Sequence, residues 1–278
     1  MTKQALTRRL LVPLALVFFV LFFSGCWGET ELDSLFIVTG VALDPSDDPE
    51  KMNITFQVAK TQSGPASGSG DASSTESATI LLKTKRGTVA EGIADFNRDS
   101  SRKIFIQHNQ VILIGSSLAE EGISDRIDLF VRDEETRMEV PIVIVDGKAE
   151  GVLAVEMDQD KISGLFLSHV MERQGSVSNQ YRTRLLDFAS RIIDESSSPV
   201  APIAQVVKIM DKDEILITGM AVFKDDKLIG RLTNDETLGY IWTMGGVKNS
   251  SIAAEDDAGK AVFIIDELNS KRTLALRE

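Results

Sequence analysis

Few residues in this chain can do covalent chemistry. Cys26 is the one thiol in 278 residues, and His108 and His169 are the two imidazoles. One thiol excludes an internal disulfide and a cysteine-based zinc site. Two imidazoles fit a multi-histidine metal centre poorly, which leaves carboxylates as ligands for calcium or magnesium. The run RDEETR, Arg132 to Arg137, brings Asp133, Glu134 and Glu135 together. Read as chemistry, these carboxylates form an acid–base pair. Read as structure, they lie within one helical turn, do not converge on one point, and make a solvated helix end. No serine sits on a nucleophile elbow. The glycines between 64 and 70 lack the Lys-Ser/Thr that a phosphate loop needs. None of these patterns carries catalytic chemistry, and the expectation is no cofactor and no metal.

Cys26 is the exception, and its position gives it a chemistry. Residues 1–9 are polar and basic, Leu10 to Phe23 is almost wholly apolar, and two small residues precede the cysteine. A basic n-region, an apolar h-region and a small-residue cleavage point describe a secretory signal over residues 1–25. The 14-residue apolar run spans only about 21 Å as a helix, short of the ~30 Å of a bilayer core. Phe23-Ser24-Gly25-Cys26 resembles a bacterial lipobox, whose cysteine thiol receives a diacylglyceryl group and becomes the first mature residue. Two fatty chains hold a protein stably where one holds it marginally. Cys26 is therefore the expected lipidation site.

The elements behind this anchor alternate. Leu35–Leu43 and the period-two residues Met52, Ile54, Phe56 and Val58 flank a turn and predict a hairpin. Residues 61–77 are Ser/Gly-rich and predict a flexible loop. Ala78–Leu82 reads as a strand. Thr88 is placed to cap a helix carrying Val89, Ile93 and Phe96 on one face. Ile104–Ile114 reads as one strand whose second half, Val111–Ile114, is apolar enough to be covered on both faces. Ser116 or Ser117 then caps a helix that breaks at Gly122, with Ile127, Phe130 and Val131 continuing its apolar face. Val140–Val145 is another strand. Ala149–Asp194 is helical in pattern, and Leu185, Leu186, Phe188, Ala189, Ile192 and Ile193 form one apolar face. Ser196–Pro202 reads as a domain boundary. Beyond it come strands at Ile203–Ile209 and Ile215–Phe223, a hairpin over Ala221–Leu232, a helix capped by Thr233 or Asn234, and strands at Ala261–Ile265 and Thr273–Leu276. The expected class is α+β, with mixed sheets packed by helices. The expected domains are 26–195, 203–260, and the start of a truncated third block at 261–278. Formal net charge is −12, which argues against nucleic acid and against electrostatic adhesion to anionic lipid.

In order along the chain, four stretches resemble the Ger(x)C family, the lipoprotein C subunits of spore nutrient-germinant receptors. The first is Gly25-Cys26-Trp27, Glu31-Leu32 and Ile37-Val38-Thr39-Gly40-Val41-Ala42-Leu43-Asp44. The second is Thr88-Val89-Ala90-Glu91, leading through Ser100–Phe105 to His108. The third is Val111–Ile114 with Leu118-Ala119, Gly122-Ile123, Asp128–Glu134 and Arg137. The fourth is Gly219–Lys224, Lys227–Gly230, Leu232, Glu236-Thr237 and Gly239–Trp242. The resemblance implies a non-enzymatic subunit tethered to the outer face of the spore inner membrane. It would act beside a membrane-spanning A subunit and a transporter-like B subunit. The same resemblance implies a further block beyond residue 278. The reading from another class is a substrate-binding lipoprotein of a membrane transporter, which needs a cleft between two comparable lobes.

His108 matches the family's histidine. Either it contacts a partner subunit or its imidazole is hydrogen-bonded at a strand end. His169, among Leu165, Leu167 and Val170, reads as helix-surface or half-buried. Trp27 adjoins the proposed lipid, either as an interfacial ring at headgroup depth or packed on the first strand. His108 and Trp27 are the candidate partner contacts.

Overall fold

The computed structural model describes residues 31–60, 77–177, 182–194, 196–244, 247–256 and 259–268. Among these lie eleven strands and seven helices. The strands are β1 (Leu35–Pro45), β2 (Met52–Ala59), β3 (Thr79–Arg86), β4 (Lys103–Phe105), β5 (Ile112–Gly115), β6 (Ile142–Val145), β7 (Val200–Ile209), β8 (Lys212–Lys224), β9 (Lys227–Leu232), β10 (Val247–Asp256) and β11 (Gly259–Leu268). The helices are α1 (Val89–Asp99), α2 (Ser116–Glu121), α3 (Ser124–Arg132), α4 (Ala149–Ala154), α5 (Ser163–Val177), α6 (Leu185–Ile193) and α7 (Asn234–Met244).

Nine strands form one mixed sheet, in the order β3-β2-β1-β5-β6-β7-β8-β9 with β4 also on β1. Its centre is parallel: β1 pairs with β5, β5 with β6 and β6 with β7. Antiparallel hairpins extend both sides. A parallel centre must be covered on both faces, and the sequence supplies what that needs. Ile112 and Ile114 of β5 point into one apolar cluster with Phe56, Phe130, Phe188 and Phe223. Leu113, between them, points into the other with Val143, Val152, Leu153 and Leu167. Helices α1, α2, α3 and α6 cover the first face; α4 and α5 cover the second. Phe188 meets Phe223 edge-to-face at 5.0 Å, and Phe56 meets Phe96 at 6.0 Å. Burying each such ring contributes about 1.5–3 kcal/mol, and these contacts fix α6 on β8 and α1 on β2.

The α+β class and the mixed sheet are as the sequence predicts, and so are the β1–β2 and β8–β9 hairpins. Thr88 caps α1, accepting from Glu91 N–H. Four readings change. The single strand expected over 104–114 is two, β4 and β5, separated by a turn at 106–110. Both lie parallel to β1, at Leu35–Ile37 and Val41–Leu43. Neither Ser116 nor Ser117 caps α2; Gly115 holds that position without a side-chain bond. Leu186 and Ile193 are exposed at 45% and 82%, so the buried face of α6 is narrower than its composition suggests. Val131 also lies at the surface of α3.

Strand β7 starts within 196–202, where composition suggests a boundary, and pairs with β6: Ile144 with Ile203 and Val145 with Ala204. Strands β10 and β11 form a separate two-stranded sheet. The expected strand at Thr273–Leu276 lies outside the described residues, as does the flexible loop expected over residues 61–77, apart from Ser77.

Candidate functional site

β1 carries a bulge between Val38 and Gly40. The buried Thr39 hydroxyl donates there to Gln57 Oε1 at 3.0 Å. Gln57 Nε2 donates to Leu153 O (2.9 Å) and Ser163 Oγ (2.8 Å), and Gly164 N–H donates back to Gln57 Oε1 at 3.0 Å. A buried amide pays for desolvation unless all its groups are bonded, and here they are. This network joins β1, β2, the end of α4 and the start of α5. Sequence reasoning missed it, because a glutamine in an alternating strand reads as solvent-facing.

The same region of β1 anchors the turn that carries His108. Gln110 N–H donates to Thr39 O (3.1 Å), Val41 N–H donates to Val111 O (3.1 Å), and Asn109 N–H donates to Ile106 O (2.9 Å). His108 lies exposed on this turn, with its ring tilted against Phe105 at 5.4 Å. Its carbonyl accepts from Gln110 Nε2 at 2.7 Å. Beside it Arg102 stands over the Phe36 ring at 5.7 Å, and Gln107 Nε2 donates to Glu135. Asn109 is 2% exposed, yet among the described residues neither its amide oxygen nor its amide nitrogen has a partner. Leaving such groups unsatisfied costs about 1–3 kcal/mol each, and native folds seldom bury them so.

Other candidates separate. His169 is half exposed, with Nδ1 at 3.0 Å from Asp160 Oδ2. Asp133, Glu134 and Glu135 do not converge: Asp133 accepts from Thr136 Oγ1 and Glu135 N–H, and Glu135 turns to Gln107. Cys26 and Trp27 lie outside the described residues. Among the described residues no cluster of His, Cys, Asp and Glu could hold a metal ion, and no helix is long and apolar enough to cross a membrane. Sequence reasoning also missed a cavity between α6 and α7, lined in part by Arg182, Arg191 and Tyr240. Its residues come from segments about fifty positions apart and form no local motif.

The described residues thus define an α+β protein with a polar, aromatic turn at one end of its sheet. Two family descriptions place it further. "Spore germination protein N-terminal domain" matches residues 28–206, and "Spore germination B3/GerAC like, C-terminal" matches 218–277. The chain belongs to the GerAC-like spore germination proteins. The junction between the two matches falls on the β7–β8 hairpin. Among its relatives in Bacillus subtilis (strain 168), YfkR is 23% identical over 74% of this chain and 53% of its own length. Spore germination protein KC is 22% identical over 90% of this chain and 65% of its own. Spore germination protein B3 is 23% identical over 91% and 66%. The chain therefore spans between half and two thirds of the length of these relatives. No solved structure gives a significant match.

Proposed function

We propose that this chain is the lipid-anchored, non-enzymatic subunit of a spore nutrient germinant receptor, held on the outer face of the spore inner membrane through acylated Cys26. In this role it completes the receptor by contacting a membrane-spanning A subunit and a transporter-like B subunit. The observation that carries the reading is the pair of family matches, whose first residue, 28, falls just past Cys26-Trp27.

The fold supports an orientation. The central strands β1, β5, β6 and β7 are parallel, so they all start at one end of the sheet, the end that also holds Glu31. Glu31 lies five positions beyond Cys26, and five extended steps reach at most about 18 Å. The end with the His108 turn then faces the membrane. His108 contacts the partner subunits there, and Trp27 sits at headgroup depth. The full chain carries −12, and without the leader's Lys3, Arg8 and Arg9 the body stands at −15 (−12 minus 3), which keeps off anionic lipid by itself, so the acyl chains do the holding. Nothing observed favours the transporter reading: among the described residues nine strands form one sheet and β10 and β11 a small second one, not two comparable lobes.

The test is genetic. Deleting the gene slows nutrient-triggered germination and leaves other germination routes intact; the wild-type gene restores it and a Cys26→Ala copy does not. Unchanged nutrient germination in a strain lacking every related copy overturns the reading.

A further inference from the structure

A solvent-open cleft of about 480 Å³ lies between α6 and α7. Its polar lining is Arg182, Thr183, Asp187, Ser190, Arg191 and Tyr240. For a chain with 42 acidic and 30 basic residues, this balance is reversed. Among the described lining residues the one carboxylate is engaged from outside: Asp187 accepts from Arg184 through both oxygens, at 2.8 and 3.2 Å. Arg191 Nη1 donates to the Tyr240 hydroxyl at 3.2 Å. Arg182 Nη2 donates to the Glu139 carbonyl at 3.1 Å, and its buried Nε–H has no acceptor among the described residues. Neither Arg182 nor Arg191 forms an ion pair among the described residues.

Two half-buried guanidiniums without carboxylates are a costly arrangement. A guanidinium presents its donors as a planar fork matched to an oxyanion, and burial strengthens that attraction by excluding water. The remaining wall decides which oxyanion. Val200 and Met244 are apolar, and with the Tyr240 ring they give a hydrocarbon body something to pack on. An inorganic phosphate would leave that surface unused.

We infer that this cavity is a binding site for a small organic carboxylate, held by Arg182 and Arg191 with its apolar part against Tyr240, Val200 and Met244. The site spans the two matched blocks, since α6 lies within residues 28–206 and α7 within 218–277. An occupant would tie α7 to the helix beneath it. The inference is independent of lipidation and of receptor membership.

Titration calorimetry and thermal melts on the purified full chain test it, with benzoate, succinate and inorganic phosphate as probes. The expected result is saturable binding of an organic carboxylate, with a Kd of about 1 mM or tighter and a rise in Tm that grows with ligand. Arg191→Gln and Arg182→Gln each weaken binding at least about tenfold, the scale of one lost charge-assisted contact. Arg191→Lys keeps the charge and the fold and loses less. Arg98→Gln, on an exposed arginine paired with Asp95 and Asp99, changes nothing. If Arg182→Gln does not fold, the Arg191 pair decides. Absence of saturable binding by either carboxylate, or binding that survives both glutamine variants, overturns the inference. Binding of phosphate alone overturns the assignment to a carboxylate.

Discussion

Asp44, at the end of β1, receives the start of α4: Ala149 N–H donates to Asp44 Oδ1 at 2.7 Å and Glu150 N–H to Oδ2 at 2.8 Å. A carboxylate from a distant strand thus satisfies two donors that a helix start leaves open. Asp44 is 4% exposed, and burial raises its pKa above 3.8 although the two N–H groups pull it down. The native state therefore holds this proton more tightly than the unfolded chain does. Stability from this group falls as pH rises from 3.8 through the native pKa. Asp44→Asn removes that dependence and leaves only one acceptor for the two N–H groups, at a cost of about 1–2 kcal/mol at neutral pH. In urea melts at a series of pH values, the wild type gains on the variant as pH falls through this window.

Gly219 sits at φ +148°, and a Cβ there would lie 2.0 Å from the Leu232 carbonyl oxygen of β9. Both the backbone conformation and the contact demand glycine. Gly219→Ala should cost about 2–5 kcal/mol, from strain plus overpacking. The measurement is the urea midpoint, and a loss below 1 kcal/mol would contradict the β8–β9 register.

Thr233 and Glu236 close the start of α7 reciprocally. Thr233 N–H donates to Glu236 Oε2 at 2.8 Å, and Glu236 N–H donates to Thr233 Oγ1 at 3.3 Å. The Thr233 backbone and hydroxyl bonds hold the Glu236 carboxyl below 4.5, so its support is present above that value and lost as pH falls through the lowered one. Thr233→Ala should destabilise by about 0.5–2 kcal/mol. Hydrogen exchange should rise across α7 and stay unchanged in β5.

What the sequence reveals and what it hides follow from locality. Val111–Ile114 reads as a central strand because covered parallel strands must be apolar throughout. Thr88 reads as a cap because its partner, Glu91, lies three residues on. The break at 106–110 shows in the sequence only as the polar run Gln107–Gln110, while the bonds that define the turn go to Thr39 and Ile106. Leu186 and Ile193 mislead because helical periodicity names a face without its width. The polar strand β10, with Asn249, Ser250 and Ser251, carries no apolar alternation to announce it. The candidate site divides the same way. Cys26 and His108 stand in recognisable stretches, whereas Arg182, Arg191 and Tyr240 meet only in the folded chain.

The His108 turn offers a separation of stability from function. His108→Ala removes an exposed side chain and should change stability by no more than about 0.5 kcal/mol. Asn109→Leu removes two unpartnered polar atoms from a buried position and should be neutral or stabilising. If the turn contacts partner subunits, both variants fold and reach the spore, and both slow nutrient-triggered germination severalfold. Wild-type germination with both variants would reduce the turn to a structural feature.

Mass spectrometry of the mature amino terminus from purified spore membranes tests the account most directly. The expected species begins at Cys26 and carries a diacylglyceryl thioether, and Cys26→Ala leaves the leader uncleaved and the lipid absent. A native protein that washes freely from spore membranes with an unmodified Cys26 thiol would contradict it.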